Sequence, residues 1–535
     1  MYRSKVVFTF IIAVMLSNAL FAQTAEKEKR FDQIQSRTLK HPQMEGVLRA
    51  ALVNFSDQKY RQLKPFIFDR SIPEIQKAVQ EGKLSYEELT LFYLYRISKY
   101  ETSAGSSLHA VIDLNPNVLK EARARDLQSK GNKHIHGIFG MPVLLKDNIG
   151  AENMNTTAGA LALAENQTTD AFIVKQLKAH GALILGKVNL SEWAYFFCLD
   201  CPSGYSGVGG HTLNPYGPGT FDTGGSSSGS AVAVAANYAV AAIGTETAGS
   251  ILSPSSQNSV VGLKPTLGLL SRSGIIPLSS TFDTPGPITK SVIDNAILLS
   301  AMLGKDKNDA ESVGLNEVGS CPENLSPAVL TSKKIGVIKE YLNIPLYAQA
   351  VAKLKEAGAT MLEIDLKPSG ISGNDFGLIL KDDLKQDLIK YFKVYGKRNI
   401  KIRSLGDVLA FNQQNMALNA PYGQAQLELA LKDTTLSIKV EEIRRSIIAK
   451  SRGFLDRVFS KDQLDVILSV NNYNAFEAAV AKYPAMCLPM GYDSEGQPMA
   501  LTFIARPFEE CKLLELGAAW EKIQPIRKGP QRYND

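Results

Sequence analysis

The sequence predicts an α/β protein: a single large domain with a central mixed, partly parallel β-sheet covered by α-helices. Three observations predict it. Short apolar strand-like segments alternate with helical patterns from about residue 71 to residue 535. No internal repeat and no low-complexity linker breaks that stretch, so one domain is the simplest division. The composition, 44% hydrophobic and 21% charged over 535 residues, is that of a globular chain with material for a large core.

The N-terminus reads differently. Arg3 and Lys5 precede an apolar run from Val6 to Leu16, and Ala22 supplies a small residue before the polar Gln23. This is the pattern of a secretory signal peptide over residues 1–22, and the run is shorter than the roughly 20 apolar residues a membrane span needs. The mature protein is therefore expected to be exported, periplasmic or secreted, with no membrane attachment after processing. The net charge of +6 includes Arg3 and Lys5. Such a small excess points to neither nucleic acid nor an anionic membrane as partner. The oligomeric expectation is a monomer or homodimer.

Residues 23–70 form a polar lead-in, irregular or helical, and 71–535 form the main domain. Ser71 and Glu74, then Ser85 and Glu88, each make a capping-box pattern that starts a helix. Leu108 to Asp113 reads as a strand and Val118 to Ser129 as a charged helix. Pro142 to Leu145 is an apolar strand that delivers Lys146 directly after itself. Ala171 to His180 is helical, Ala182 to Leu185 a strand, and Gly186 to Trp193 is expected to start another helix. Val260 to Pro287 reads as turns and strands, and Ser291 to Leu303 as a helix stopped at Gly304. Lys334–Ile338 and Thr360–Ile364 read as strands, with a helix from Ala352 to Gly358 between them. Asp375 to Tyr395 is a long amphipathic helix, and Glu428 to Phe459 is mostly helical. Strands follow at Asp465–Ser469, Ala485–Pro489 and Met499–Ala505, and Phe508 to Ile523 closes the chain as a helix.

The stretch Asp222 to Ser256 carries the densest chemistry. It holds two turns rich in Gly and Ser, joined by the small apolar run Ala231 to Ile243. A flexible linker stays polar, whereas this spacer must be buried, and buried scaffolding under tight turns is how a nucleophile is mounted. Ser227 lies in Gly225-Ser-Ser-Ser-Gly229, which matches the Gly-x-Ser-x-Gly elbow. In that arrangement the catalytic histidine follows the nucleophile, yet His211 is the last of six histidines. No Cys/His spacing reads as a zinc site, so no metal and no cofactor are expected. The base must be another residue type. A lysine serves when burial lowers its pKa, and Lys146, at the end of an apolar strand, is the best-placed candidate. A bridging hydroxyl would relay the proton to it from the nucleophile.

Three separated motifs then carry a family resemblance: Leu144-Leu-Lys-Asp-Asn148, Gly224-Gly-Ser-Ser-Ser-Gly-Ser230 and Gly244-Thr-Glu-Thr-Ala-Gly-Ser-Ile251. The chain resembles the amidase signature family, nearest its peptide amidase-like members, from about Ser71 to Ile523. The segment Leu263 to Pro277 is similar as well. The resemblance implies the amidase signature fold and a serine acyl-enzyme mechanism that hydrolyses a carboxylic or peptide C-terminal amide to acid and ammonia. It implies Ser250 as nucleophile, Ser226 as bridging serine after a cis peptide bond, and Lys146 as general base. It places the oxyanion hole on the backbone N–H groups of Thr247, Ala248, Gly249 and Ser250. The expected partner is a small-molecule or peptide amide. Ala248, Leu252 and Thr223 depart from common family residues. Leu252 removes the arginine that some members use for charged substrates.

Other readings compete at several positions. Ser226 to Ser230 could cap the helix that follows, and Ser227 and Ser228 are assigned that kind of hydrogen-bonding role. His211 is expected to be structural. Cys198 and Cys201 are expected to be a local disulfide or free thiols, and five cysteines leave at least one unpaired. Two other functions fit the same motifs: an amidotransferase A-type subunit acting on misacylated tRNA, and a non-catalytic binding protein on the same scaffold. The leader and modest charge oppose the first, and intact Lys146, Ser226 and Ser250 oppose the second. The acyl pocket is expected from Phe196 to Tyr205, Phe376 to Leu384 and Ala420 to Tyr422.

Overall fold

The computed structural model describes residues 42–103, 105–130, 136–314, 325–366, 370–396 and 400–535. The expected signal peptide and the lead-in up to residue 41 lie outside them. The lead-in from residue 42 holds two helices, Pro42–Ala51 and Asp57–Ile67, the second capped by Ser56, which accepts from the Lys59 N–H. Both expected capping boxes form, Ser71 with Glu74 and Ser85 with Glu88.

Thirteen strands follow among the described residues: β1 Val111–Leu114, β2 Pro142–Lys146, β3 Leu183–Val188, β4 Tyr205–Ser206, β5 Gly210–His211, β6 Ala241–Glu246, β7 Val261–Lys264, β8 Thr284–Thr289, β9 Lys334–Ile338, β10 Thr360–Ile364, β11 Val466–Val470, β12 Ala485–Tyr492 and β13 Pro498–Ile504. Eleven build one sheet in the order β1-β3-β2-β6-β8-β7-β12-β13-β11-β9-β10, while β4 and β5 form a separate small pair. β2 runs parallel to both β3 and β6, and β9 runs parallel to β10 and β11. The other pairings in the large sheet are antiparallel. The sheet is therefore mixed and partly parallel, as the alternation of segments predicts. Every residue of β2, β3, β6, β7 and β8 is buried, which is why segments such as Pro142–Leu145 and Leu183–Leu185 read as apolar runs. No helix among the described residues is long and apolar enough to cross a membrane.

The spacer between the two serine turns is buried as its composition demands. Ser228–Ala235 is a helix with every residue buried, Asn237 turns the chain at φ 56°, and β6 follows directly. Small side chains let this helix lie close against the sheet.

Three expectations change. No α-helix begins at Gly186. β3 continues through Val188, and Trp193, Ala194 and Tyr195 take left-handed conformations in a short 3-10 turn. The reason is tertiary: Lys187 is paired inside the sheet with Asp147 at 3.3 Å. Asn189 Nδ2 donates to the carbonyls of His109, Gly204 and Gly210. The helix expected from Ala352 begins earlier, at Pro345, where proline is preset for a first turn. The long helical stretch from Glu428 divides into Ala425–Lys432 and Ser437–Asp462.

Candidate active site

Pairing β2 in parallel with β6, Val143 opposite Ala241 and Leu145 opposite Ile243, brings their C-terminal ends to one edge of the sheet. Open α/β sheets place ligand sites outside such ends. Here Lys146 ends β2, while Thr245 and Glu246 end β6 and lead into the turn Thr247–Ser250.

Lys146 is fully buried. Its Nζ contacts three oxygens: Ser226 Oγ at 2.8 Å, Thr245 Oγ1 at 2.9 Å and the Thr245 carbonyl at 3.0 Å. No carboxylate forms an ion pair with it among the described residues, and burial pushes its pKa down to about 7, with Asp283 and Glu246 opposing from farther away. Lys187 is equally buried one strand away, but it has Asp147 as its partner. Asp147 is held in turn by the N–H and hydroxyl of Thr157. Of the two lysines, Lys146 alone sits beside hydroxyls without a counter-ion.

The Gly225–Ser226 peptide is cis. Ser226 is fully buried, and its carbonyl accepts the Ser191 N–H at 3.0 Å. The adjoining serines have other partners. Ser227 Oγ bridges the Thr245 carbonyl and N–H, Ser228 Oγ donates to the Gly224 carbonyl, and Ser230 Oγ donates to the Ile243 carbonyl. None of these hydroxyls caps the helix at its N-cap. Gly224 has φ 64°, and a Cβ there would meet the Pro254 nitrogen at 2.7 Å. Only glycine lets the two turns approach this closely.

Ser250 retains 7% exposure, where Ser226 and Lys146 retain none. A substrate can therefore reach Ser250 while the other two stay shielded. The Ser227 N–H donates to the Ser250 carbonyl at 3.0 Å, tying the two turns together. No hydrogen bond joins the Ser226 and Ser250 hydroxyls among the described residues. The N–H groups of Thr247, Ala248, Gly249 and Ser250 likewise have no acceptor among the described residues, which leaves four successive unpaired donors on one turn. Gly249 has φ 89°.

Two carboxylates that sequence reasoning missed brace this turn. Glu246 Oε2 accepts from the Ile251 N–H at 2.7 Å and the Leu252 N–H at 3.0 Å. Asp283 Oδ1 accepts from Thr247 Oγ1 at 2.6 Å, and its other oxygen accepts the N–H groups of Leu278 and Ser279 at 2.8 Å. Burial raises the Asp283 carboxyl to about 6, against those hydrogen bonds. Thr245 was also missed, as was Asn148, whose Nδ2 donates to Thr245 Oγ1 at 3.0 Å. Glu246 and Thr245 sit inside Gly244-Thr-Glu-Thr, where two polar residues at the end of an apolar strand are a usable signal. Asp283 lies in a turn-rich segment and carries none. A cleft of about 630 Å³ ends on Asn148, Thr245 and Asp283, and its walls do not include Ser226 or Ser250.

The remaining candidates are peripheral. Cys198 and Cys201 form a disulfide, and Cys487 is a buried free thiol. His211 Nε2 bonds the Ser203 carbonyl at 2.8 Å, and burial lowers its pKa to about 4. No cluster of three or more His, Cys, Asp or Glu side chains suited to a metal ion occurs among the described residues.

Comparison with known proteins shows the family. The Amidase family model matches residues 88–476. A probable amidase of Arabidopsis thaliana is 36% identical over 481 residues, covering 87% of this chain and 92% of the relative. The crystal structure of an amidase family protein from Bacillus anthracis superposes with a TM-score of 0.87 at 36% identity, covering 92% of this chain and 99% of that one. The native peptide amidase of Stenotrophomonas maltophilia superposes at 0.81 with 37% identity, covering 86% and 98%. Fold and site thus define an amide-hydrolysing enzyme. The chain belongs to the amidase signature family and is peptide amidase-like within it.

Proposed function

We propose that this protein is an exported amidase that hydrolyses a carboxylic or peptide C-terminal amide to acid and ammonia, with Ser250, Ser226 and Lys146 as its catalytic triad. The observation that carries the triad is the surroundings of Lys146 Nζ: a fully buried amine without a carboxylate partner, against Ser226 Oγ and the two Thr245 oxygens. A neutral amine has two N–H donors and one lone pair. The donors suit Thr245 Oγ1 and the Thr245 carbonyl, and the lone pair then faces the Ser226 hydroxyl.

In the proposed reaction the Ser250 oxygen forms a bond to the amide carbon. Its proton passes to Ser226 Oγ as the Ser226 proton passes to Lys146 Nζ. The carbonyl oxygen gains the negative charge and takes the N–H groups of the Thr247–Ser250 turn, each worth about 3 kcal/mol toward the transition state. The C–N bond then breaks, and the proton returns from Lys146 through Ser226 to the leaving nitrogen, which departs as ammonia. Water repeats the sequence on the acyl-enzyme, giving its proton through Ser226 to Lys146, and Ser250 regains a proton as the acid leaves. The proton relay needs a hydrogen bond between the Ser250 and Ser226 hydroxyls, and catalytic hydrogen bonds of this kind commonly form or tighten only with substrate bound.

Export is supported by the signal-peptide pattern and by the Cys198–Cys201 disulfide, a bond that persists in oxidising compartments. A peptide amide as substrate is supported by the likeness to a peptide amidase.

The test is ammonia release from a panel of simple and peptide amides, with fluorophosphonate labelling read by mass spectrometry. The wild-type protein is expected to release ammonia and to carry the label on Ser250, and Ser250→Ala is expected to do neither. Ammonia release surviving in Ser250→Ala, or a label on another residue, overturns the assignment. Stable co-purification with partner subunits from the cytoplasm would indicate an amidotransferase instead.

A further inference from the structure

Three asparagines follow β11, and the structure treats them differently. Asn471 Oδ1 accepts the Ala500 N–H at 2.8 Å. Asn474 Oδ1 accepts from Ser469 Oγ at 2.6 Å and Tyr341 Oη at 3.2 Å. Both side-chain oxygens are spent on holding the chain. Asn472 is half-buried, and its side-chain amide has no hydrogen-bond partner among the described residues. That amide lies against the Thr247–Ser250 turn: a Cβ built on Gly249 would stand 3.4 Å from Asn472 Nδ2 and 3.6 Å from the Ala475 Cβ. An amide offering two donors and one acceptor, unpaired beside a turn of unpaired N–H groups, is placed to bond a ligand.

An aromatic row flanks the same place. Phe476 follows Ala475 and meets Phe376 edge-on at 5.1 Å, and Phe376 meets Phe282 at 5.0 Å. Phe282 precedes Asp283, whose carboxylate holds Thr247. The turn thus has a polar amide and an apolar wall as neighbours. Such a pairing of apolar lining with a few placed polar groups gives a pocket both its affinity and its orientation.

We propose that Asn472 is a substrate-positioning residue, whose amide bonds the acylamino group next to the scissile amide of a substrate with an apolar side chain on the half-buried Phe376–Phe476 pair, which rests on the buried Phe282. This rests on the proposed amidase reading and names the residue that would recognise the peptide part of the substrate.

The test compares N-acetyl-phenylalaninamide with 3-phenylpropanamide, which differ only in the acetamido group. Asn472→Ala is expected to lower kcat/KM for the first about five- to tenfold more than for the second, the range of one hydrogen bond. Asn472→Asp, which keeps the size but loses the N–H donors, is expected to lower the same ratio. A structural role would lower both substrates by one factor. Equal losses, or no loss on either substrate, overturn the proposal. The second measurement needs no turnover: protection of Ser250 from fluorophosphonate by N-acetyl-phenylalaninal and by 3-phenylpropanal. Asn472→Ala should weaken protection by the first aldehyde selectively, and equal protection ratios in wild type and variant overturn the proposal. If the wild type hydrolyses neither amide, the aldehyde pair decides Asn472, and the amidase reading is decided separately by the wider amide panel and the labelling of Ser250.

Discussion

Replacing Lys146 by methionine separates chemistry from folding. The side chain keeps its approximate length and burial but loses the amine that faces Ser226 Oγ at 2.8 Å. With a pKa of about 7, the neutral fraction of Lys146 rises from about 9% at pH 6 to about 91% at pH 8. Wild-type kcat/KM should therefore climb roughly tenfold across that interval and level off. An ordinary lysine titrating at 10.5 would give a rise of about a hundredfold with no plateau. Lys146→Met should lose about 10³–10⁴ in kcat, the upper part of the range for a positioned general base, and with it the acid limb.

Stability should move the other way. The unfolded chain keeps its proton up to about pH 10.5, while the folded chain releases it above about 7. The unfolded state thus binds more protons in that window, and wild-type stability rises with pH across it. Near pH 7 the burial of this amine costs up to roughly 5 kcal/mol, against about 1 kcal/mol for each of three hydrogen bonds lost. Lys146→Met should be no less stable than wild type at pH 7, and its stability should depend less on pH between 7 and 10. The assays are ammonia release from pH 5 to 9 and urea unfolding at several pH values. A kcat/KM still rising tenfold per pH unit at pH 8 refutes the reasoning. So does a methionine variant retaining more than about 1% of the activity.

Gly249→Ala places a Cβ at φ 89° in the turn of the four N–H groups. The left-handed conformation costs a non-glycine residue about 1–2 kcal/mol, and the turn relaxes away from its donor geometry. The expected result is a 10- to 100-fold lower kcat with a smaller change in KM, measured on the same amide panel. Cys198→Ser should lower unfolding free energy by about 2 kcal/mol or less, because the disulfide closes only a short loop. If the proposed export holds, N-terminal sequencing of protein recovered from outside the cytoplasm should begin at Gln23, and a non-reducing peptide map should show Cys198 joined to Cys201.

Much of the site was readable because it is local. The two serine turns and their apolar spacer lie within Asp222 to Ser256, and each turn adjoins an element whose burial its composition demands. The absence of any histidine after His211 directed attention to lysine. The capping boxes at Ser71 and Ser85 form as read, since a cap involves only neighbours along the chain. The helix expected at Gly186 does not form, since Lys187 and Asn189 serve partners distant in sequence.

By itself the sequence determined the α/β class, the two turns, and the absence of any histidine after them, because periodicity and residue chemistry are properties of short segments. The tertiary structure alone decided which of the two lysines in the neighbouring strands β2 and β3 stays without a counter-ion. Lys146 and Lys187 both end up fully buried in adjacent strands, but Asp147 reaches only Lys187. It also decided that Asp283 and Asn472, far along the chain, border the turn of Ser250. Charge pairing and proximity across a sheet depend on how strands pair, and strand pairing is not written in any one segment.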